Sequence, residues 1–116
     1  MEKNFTEQRP WGFYTNIAKG NGFLTKIIHV NPEAQLSVQS HNFRSEHWVV
    51  LSGKAVVILN GQEFILSIGQ SIDIPLKAIH SLKNPYQYEL EVLEVQMGDK
   101  LSEDDIIRYQ DIYGRV

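Results

Sequence analysis

At 116 residues, 42% hydrophobic and 22% charged, the chain has the size and composition of one globular domain, not of a disordered segment. A net charge of −3 argues against nucleic acid or an anionic membrane as partner, and the absence of cysteine excludes disulfides and thiolate metal sites. The first ten residues are polar rather than leader-like and no apolar run approaches a membrane span, so a cytoplasmic protein is expected.

Residues 1–11 read as a polar N-terminal arm closing on Arg9-Pro10-Trp11-Gly12, a rigid entry with an apolar anchor. Residues 12–98 then alternate short β-rich runs with turn residues. Strands are predicted at 12–17, 23–30, 35–40, 47–51, 55–59, 63–66, 71–74, 80–83 and 89–95. Asn60-Gly61 is the strongest hairpin signal, because a type I′ turn needs positive φ at both central positions. The run Ala55–Leu59 is continuously apolar, as in a strand covered on both faces. After the strands, Ser102-Glu103-Asp104-Asp105 has the form of a helix start, with Ser102 as N-cap and acids in the first turn. A short C-terminal helix and tail is therefore predicted over 102–116. Many short strands at close spacing imply an all-β sandwich or barrel, and one domain over 1–116.

Two polar clusters interrupt the strands. The first is Gln39-Ser40-His41-Asn42-Phe43-Arg44-Ser45-Glu46-His47-Trp48, and the second runs from Gly69 to Asn84 and contains His80. Gln39 and His41 stand two apart on an extended segment, so both leave the same face of a sheet. Glu46 opens the returning strand and His80 arrives from a distant one, and a small barrel brings such strands to one ion. Two imidazoles, a carboxylate and an amide oxygen suit zinc, with nickel, iron, cobalt and manganese also compatible. Positions left open to water or substrate would allow catalysis.

The spacing resembles that of the cupins. Their first motif has ligands at the intervals of Gln39, His41 and Glu46 followed by Gly53; the second matches Gly69, Pro75, His80 and Asn84. Glu33 and Lys77 replace the motif glycines, which leaves the geometry of those two turns open. Gln39, with the run Arg44-Ser45-Glu46-His47-Trp48, is similar to the cupin module of type II mannose-6-phosphate isomerases, which is often fused behind a mannose-1-phosphate guanylyltransferase. Shared residues run from Arg9-Pro10-Trp11-Gly12 through Lys26, Glu94-Val95-Gln96 and Arg108 to Tyr113-Gly114-Arg115. The family usually carries histidines where this chain has Asn42 and Phe43; by the spacing these two lie outside the ligand set, but beside it.

The resemblance implies a jelly-roll (double-stranded β-helix) cupin fold, one divalent ion on Gln39, His41, Glu46 and His80, and interconversion of mannose 6-phosphate and fructose 6-phosphate through an enediol. Arg44 is expected to contact phosphate or the enediolate, since guanidinium binds oxyanions in bidentate fashion. Lys26 and Glu94 are the candidates for the catalytic base, and Arg9, Arg108 and Trp48 for substrate binding. The expected partners are a small sugar phosphate and a second copy of the chain, held through the arm as a homodimer. Two alternatives fit the same motifs: a non-catalytic sugar or sugar-nucleotide binding cupin, suggested by Asn42 and Phe43, and another cupin enzyme such as a nucleotide-sugar isomerase. Gln39 argues against a dioxygenase, whose open iron site usually takes histidine there.

Overall fold

The computed structural model describes residues 5–115. Twelve strands follow one another: β1 (Phe5–Arg9), β2 (Gly12–Gly20), β3 (Phe23–Val30), β4 (Ala34–Gln35), β5 (Val38–Ser40), β6 (Ser45–Ser52), β7 (Ala55–Leu59), β8 (Gln62–Leu66), β9 (Ser71–Ile74), β10 (His80–Asn84), β11 (Leu90–Met97) and β12 (Ile107–Gln110). They form two six-stranded antiparallel sheets, one in the order β1-β2-β3-β11-β6-β9 and the other in the order β12-β5-β10-β7-β8 with β4 also on β10. This two-sheet all-β architecture is the one that the strand pattern predicts and that the cupin resemblance implies. Among the described residues no helix is long and apolar enough to cross a membrane.

Side-chain alternation sets what each strand turns inward. On β6 the buried residues are Glu46, Trp48 and Val50; on β3, Lys26, Ile28 and Val30; on β11, Leu90, Val92, Glu94 and Gln96. Register aligns them, with Glu94 between Lys26 and Trp48, and Gln96 opposite Glu46. The inward face is thus apolar at one end of the barrel and charged at the other. From the second sheet, Ala55, Val57 and Leu82 are fully buried against the apolar end. Ala55 to Val57 are three consecutive buried residues, as the continuous apolar run requires.

The C-terminal prediction is corrected: the described residues of 102–116 contain no helix. Residues 103–104 form a turn, and Ile107–Gln110 add β12 to β5 instead. A helix of this length is marginal alone, and Ile106, Ile107 and Tyr109 favour a strand. The acids that resembled a first helical turn serve tertiary contacts described below. The polar arm also has more order than the sequence indicates, since β1 pairs with β2 along its whole length. The Asn60-Gly61 hairpin has φ of 49° and 81°, as its turn type demands. Glu33 and Lys77, the residues in place of motif glycines, keep the left-handed backbone at φ 59° and 63°.

Candidate metal centre and substrate cavity

His41 follows β5, Glu46 lies on β6 and His80 opens β10, so the three come from two facing sheets. All are buried, at 2–4% exposure, and one ligand atom from each lies within 4.8 Å of the others. Glu46 Oε2 is 3.4 Å from His41 Nε2, and Oε1 is 3.7 Å from His80 Nε2. These three could hold a metal ion. The outer ring nitrogens orient both imidazoles for ligation. His41 Nδ1 is 2.7 Å from the Asp105 carbonyl, and His80 Nδ1 is 2.9 Å from the Ala78 carbonyl. A carbonyl can only accept, so each Nδ1 carries the hydrogen and each Nε2 presents a lone pair inward. Burial, with the Arg44 charge second, lowers His41 to a pKa of about 4. Burial is also the main cause that lowers His80. Both rings are therefore neutral at pH 7, as metal binding requires.

Gln39 lies directly across the ladder from His80. Its Nε2 donates to the Ser37 carbonyl at 3.4 Å, which commits the nitrogen and leaves the amide oxygen for another group. Trp48 packs edge-on against His80, with ring centres 5.6 Å apart, and donates from Nε1 to Glu94.

These residues line a cavity of about 90 Å³ that also takes in Lys26, Arg44, Glu94, Arg9 and Arg108. Every site residue expected from the sequence is therefore in one place. Arg44 is turned toward the ligands, with Nε on Glu46 at 2.8 Å, one terminal nitrogen 3.3 Å from His41 Nε2 and the other on the Ser102 carbonyl at 3.0 Å. Lys26 is 3% exposed; its Nζ sits 3.1 Å from Glu103, 3.8 Å from Glu94 and 4.0 Å from the centre of the Tyr14 ring. Burial and, second, the Glu46 charge raise the Glu94 carboxyl above the usual range, while Trp48 and Gln96 each donate to one of its oxygens at 2.9 Å. Arg9 reaches the Tyr14 hydroxyl at 3.3 Å. Asn42 and Phe43 are exposed and contribute nothing to the cavity wall.

Four further contributors are not among the site residues expected from the sequence. Tyr14 donates to Glu103 at 3.3 Å, and burial, then the Glu103 charge, push its pKa up to about 12. Glu103 closes the pair with Lys26. Asp105 accepts the backbone N–H groups of Asn42 and Phe43 at 2.8 and 2.9 Å, while its carbonyl orients His41. Burial raises the Asp105 carboxyl, but those two N–H groups and the Arg44 charge outweigh it and leave it below the usual range. Ser37 places a buried hydroxyl at the wall. Gly98 has a local reason of its own, because a Cβ there would stand 2.2 Å from the Phe43 carbonyl and push the 41–44 loop away.

The same chain matches known proteins over this whole unit. The family model described as "Mannose-6-phosphate isomerase C-terminal" matches residues 1–111. The alginate biosynthesis protein AlgA of Pseudomonas putida is 48% identical over 107 residues, which are 92% of this chain and 22% of that protein. Mannose-1-phosphate guanylyltransferase ManC of Salmonella typhimurium is 48% identical over 108 residues, 93% of this chain and 22% of the relative. This chain therefore spans about a fifth of the length of these curated relatives. A solved RmlC-like cupin from Shewanella frigidimarina superposes with a TM-score of 0.75 at 16% identity, covering 88% of each chain, which speaks for the fold alone. With that fold, these ligand positions and a family match across nearly every residue, the chain belongs to the mannose-6-phosphate isomerase C-terminal family.

Proposed function

We propose that this domain is a metal-dependent aldose–ketose isomerase that interconverts mannose 6-phosphate and fructose 6-phosphate. The observation that carries the reading is the pairing of His41, Glu46 and His80 with a fully buried carboxyl, Glu94, in one small cavity. The donor set fits a borderline divalent ion, for which zinc is our assignment, held by these three residues with the Gln39 oxygen as fourth ligand. When bound, such an ion supplies Lewis acidity toward a carbonyl oxygen.

The protein's own groups account for the proton. In the open-chain aldose, Glu94 takes the proton from C2 and returns it to C1, while the hydroxyl hydrogen at O2 passes to O1. Atoms balance, and no oxidant or reductant is needed. Glu94 suits this role because its burial and the nearby Glu46 make it a stronger base than an exposed carboxylate. Trp48 and Gln96 hold its two oxygens in place. Lys26, at 3.8 Å, offers it a counter-charge. Arg44, bonded to Glu46 and beside His41, stands where it can contact the enediolate oxygens. Asn42 and Phe43 are exposed and lie outside the cavity lining, which favours the catalytic reading over a non-catalytic binder. The outer edge of β1, the end strand of its sheet, is the face we assign to a homodimer, which sedimentation of the purified chain would read.

The test is elemental analysis and a coupled assay for fructose 6-phosphate on one sample. Stoichiometric metal with turnover supports the reading; metal without turnover on any sugar phosphate sinks it. Glu94→Gln should keep the ion and lower kcat by roughly 10²- to 10⁴-fold, the usual contribution of a general base. An unchanged kcat would reassign the proton to Lys26.

A further inference from the structure

Five cationic side chains line the cavity. Four of them face a carboxylate: Lys26 faces Glu94 and Glu103, Arg44 faces Glu46, Arg9 faces Glu7, and Arg115 faces Asp111. Arg108 differs. Among the described residues it makes no ion pair, and its buried Nε has no hydrogen-bond partner. An unanswered buried donor on a charged group is costly, so its persistence calls for an external acceptor. Ser37, 2% exposed, is a second such group, since its Oγ is buried and unpartnered in the same wall.

Register fixes where these groups stand relative to the metal ligands. β5 runs between β12 and β10, and Gln39 is opposite both Arg108 and His80. Residues directly opposite share a face, so Arg108, Gln39 and His80 form a row across three strands, and all three reach the cavity. Ser37 precedes Gln39 by two residues on the same segment. With neighbouring strands about 4.8 Å apart, the Arg108 backbone lies roughly 10 Å from that of His80. The cavity wall thus carries an electrophile-binding end at His41, Glu46 and His80 and a lone cation with a free hydroxyl at the other end of the row.

We propose that Arg108 and Ser37 form a subsite for a phosphate monoester, receiving the terminal phosphate of a substrate whose carbonyl end lies toward His80. The guanidinium supplies charge and directed donors, and the serine hydroxyl supplies one more. The identity of the carbonyl end rests on the isomerase reading; the subsite itself rests on the unpaired groups. Arg108 then selects phosphorylated over unphosphorylated sugars, because a neutral hydroxyl in the same place leaves the guanidinium unanswered.

Calorimetric titration of the zinc-loaded chain with mannose 6-phosphate, inorganic phosphate and mannose tests this. The wild type should bind both phosphate species, and prefer mannose 6-phosphate to mannose. Arg108→Met should weaken binding of both phosphate species by about ten- to hundredfold, with Arg108→Lys recovering part of the loss. Ser37→Ala should cost several-fold and carries the test if the Met variant does not fold. Undiminished phosphate binding in Arg108→Met, or a wild type that binds mannose as tightly as its phosphate, overturns the subsite. Binding is read without turnover, so phosphate-dependent binding with no isomerisation supports the subsite while removing the isomerase reading.

Discussion

The two ends of the barrel are built from the same strands and differ in almost every physical respect. On β11, Leu90 and Val92 point inward at one end and Glu94 and Gln96 at the other; β3 passes from Val30 and Ile28 to Lys26, and β6 from Val50 to Glu46. Two to four residues along a strand separate an apolar core from a cluster of buried charges. The apolar end gains from burial at about 25 cal/mol per Å². The charged end loses hydration, and pairs such as Lys26–Glu103 and Arg44–Glu46 seldom offset that loss in full. The apolar end therefore supplies the stability that lets the charged end hold reactive groups out of water.

This division of labour can be broken from either side. The largest effect is expected at His80→Ala, which removes one of three clustered ligands and should release the ion while circular dichroism still reports a folded β-protein. If bound metal stays stoichiometric, the ligand assignment fails. Next comes Leu82→Ala at the other end. Leu82 is fully buried, so truncation should cost about 2–5 kcal/mol in denaturant unfolding, yet leave metal affinity unchanged while the chain is folded. A large fall in affinity at full folding would show that the two ends are coupled.

Acid should sharpen the contrast. His41 binds its proton with a pKa of about 4 when folded, against 6.5 in the unfolded chain. Between those values the unfolded chain holds more protons, so this contribution to stability is complete above pH 6.5 and is lost as pH falls through about 4. His80 is shifted in the same direction. Metal affinity should therefore begin to weaken at a lower pH than it would for an exposed histidine pair, which starts to lose it near 6.5, with His41 itself protonating only near pH 4. Titration at each pH distinguishes the two profiles.

Much of the fold can be read in the residues. Phe23–Val30, Ala55–Leu59 and Ser71–Ile74 carry enough apolar content or alternation to mark strands with those bounds. β1 and β12 do not, because most of their side chains are exposed and pairing with β2 and β5, not burial, makes them strands. The two-residue period puts Gln39 and His41 on one face, and the resemblance to the cupin motif intervals adds Glu46 and His80. Glu103 and Asp105 are not legible in this way. An acidic run after serine carries the local signal of a helix start, and only the tertiary position of Lys26 and the 42–43 backbone reveals its other use. Arg108 was visible as a residue, but its lack of a counter-charge is a property of the assembled cavity.

The smallest effect tests a turn that the charged end depends on. The Lys77 amide donates to the carbonyl of His41 at 2.8 Å, so this turn braces the ligand loop from below. Its φ of 63° is one that glycine adopts freely and lysine does not. The left-handed region costs an L-residue about 1–2 kcal/mol, whereas glycine adds about 0.5–1 kcal/mol of chain entropy to be lost on folding. Lys77→Gly should therefore stabilise the domain by at most about 1.5 kcal/mol, with no change in metal affinity because the backbone bond to His41 persists. The exposed Lys77 side chain gives no reason for a loss. A clear drop in the unfolding midpoint would mean that the lysine side chain makes a contact outweighing the strain, and that this turn is held by more than its backbone.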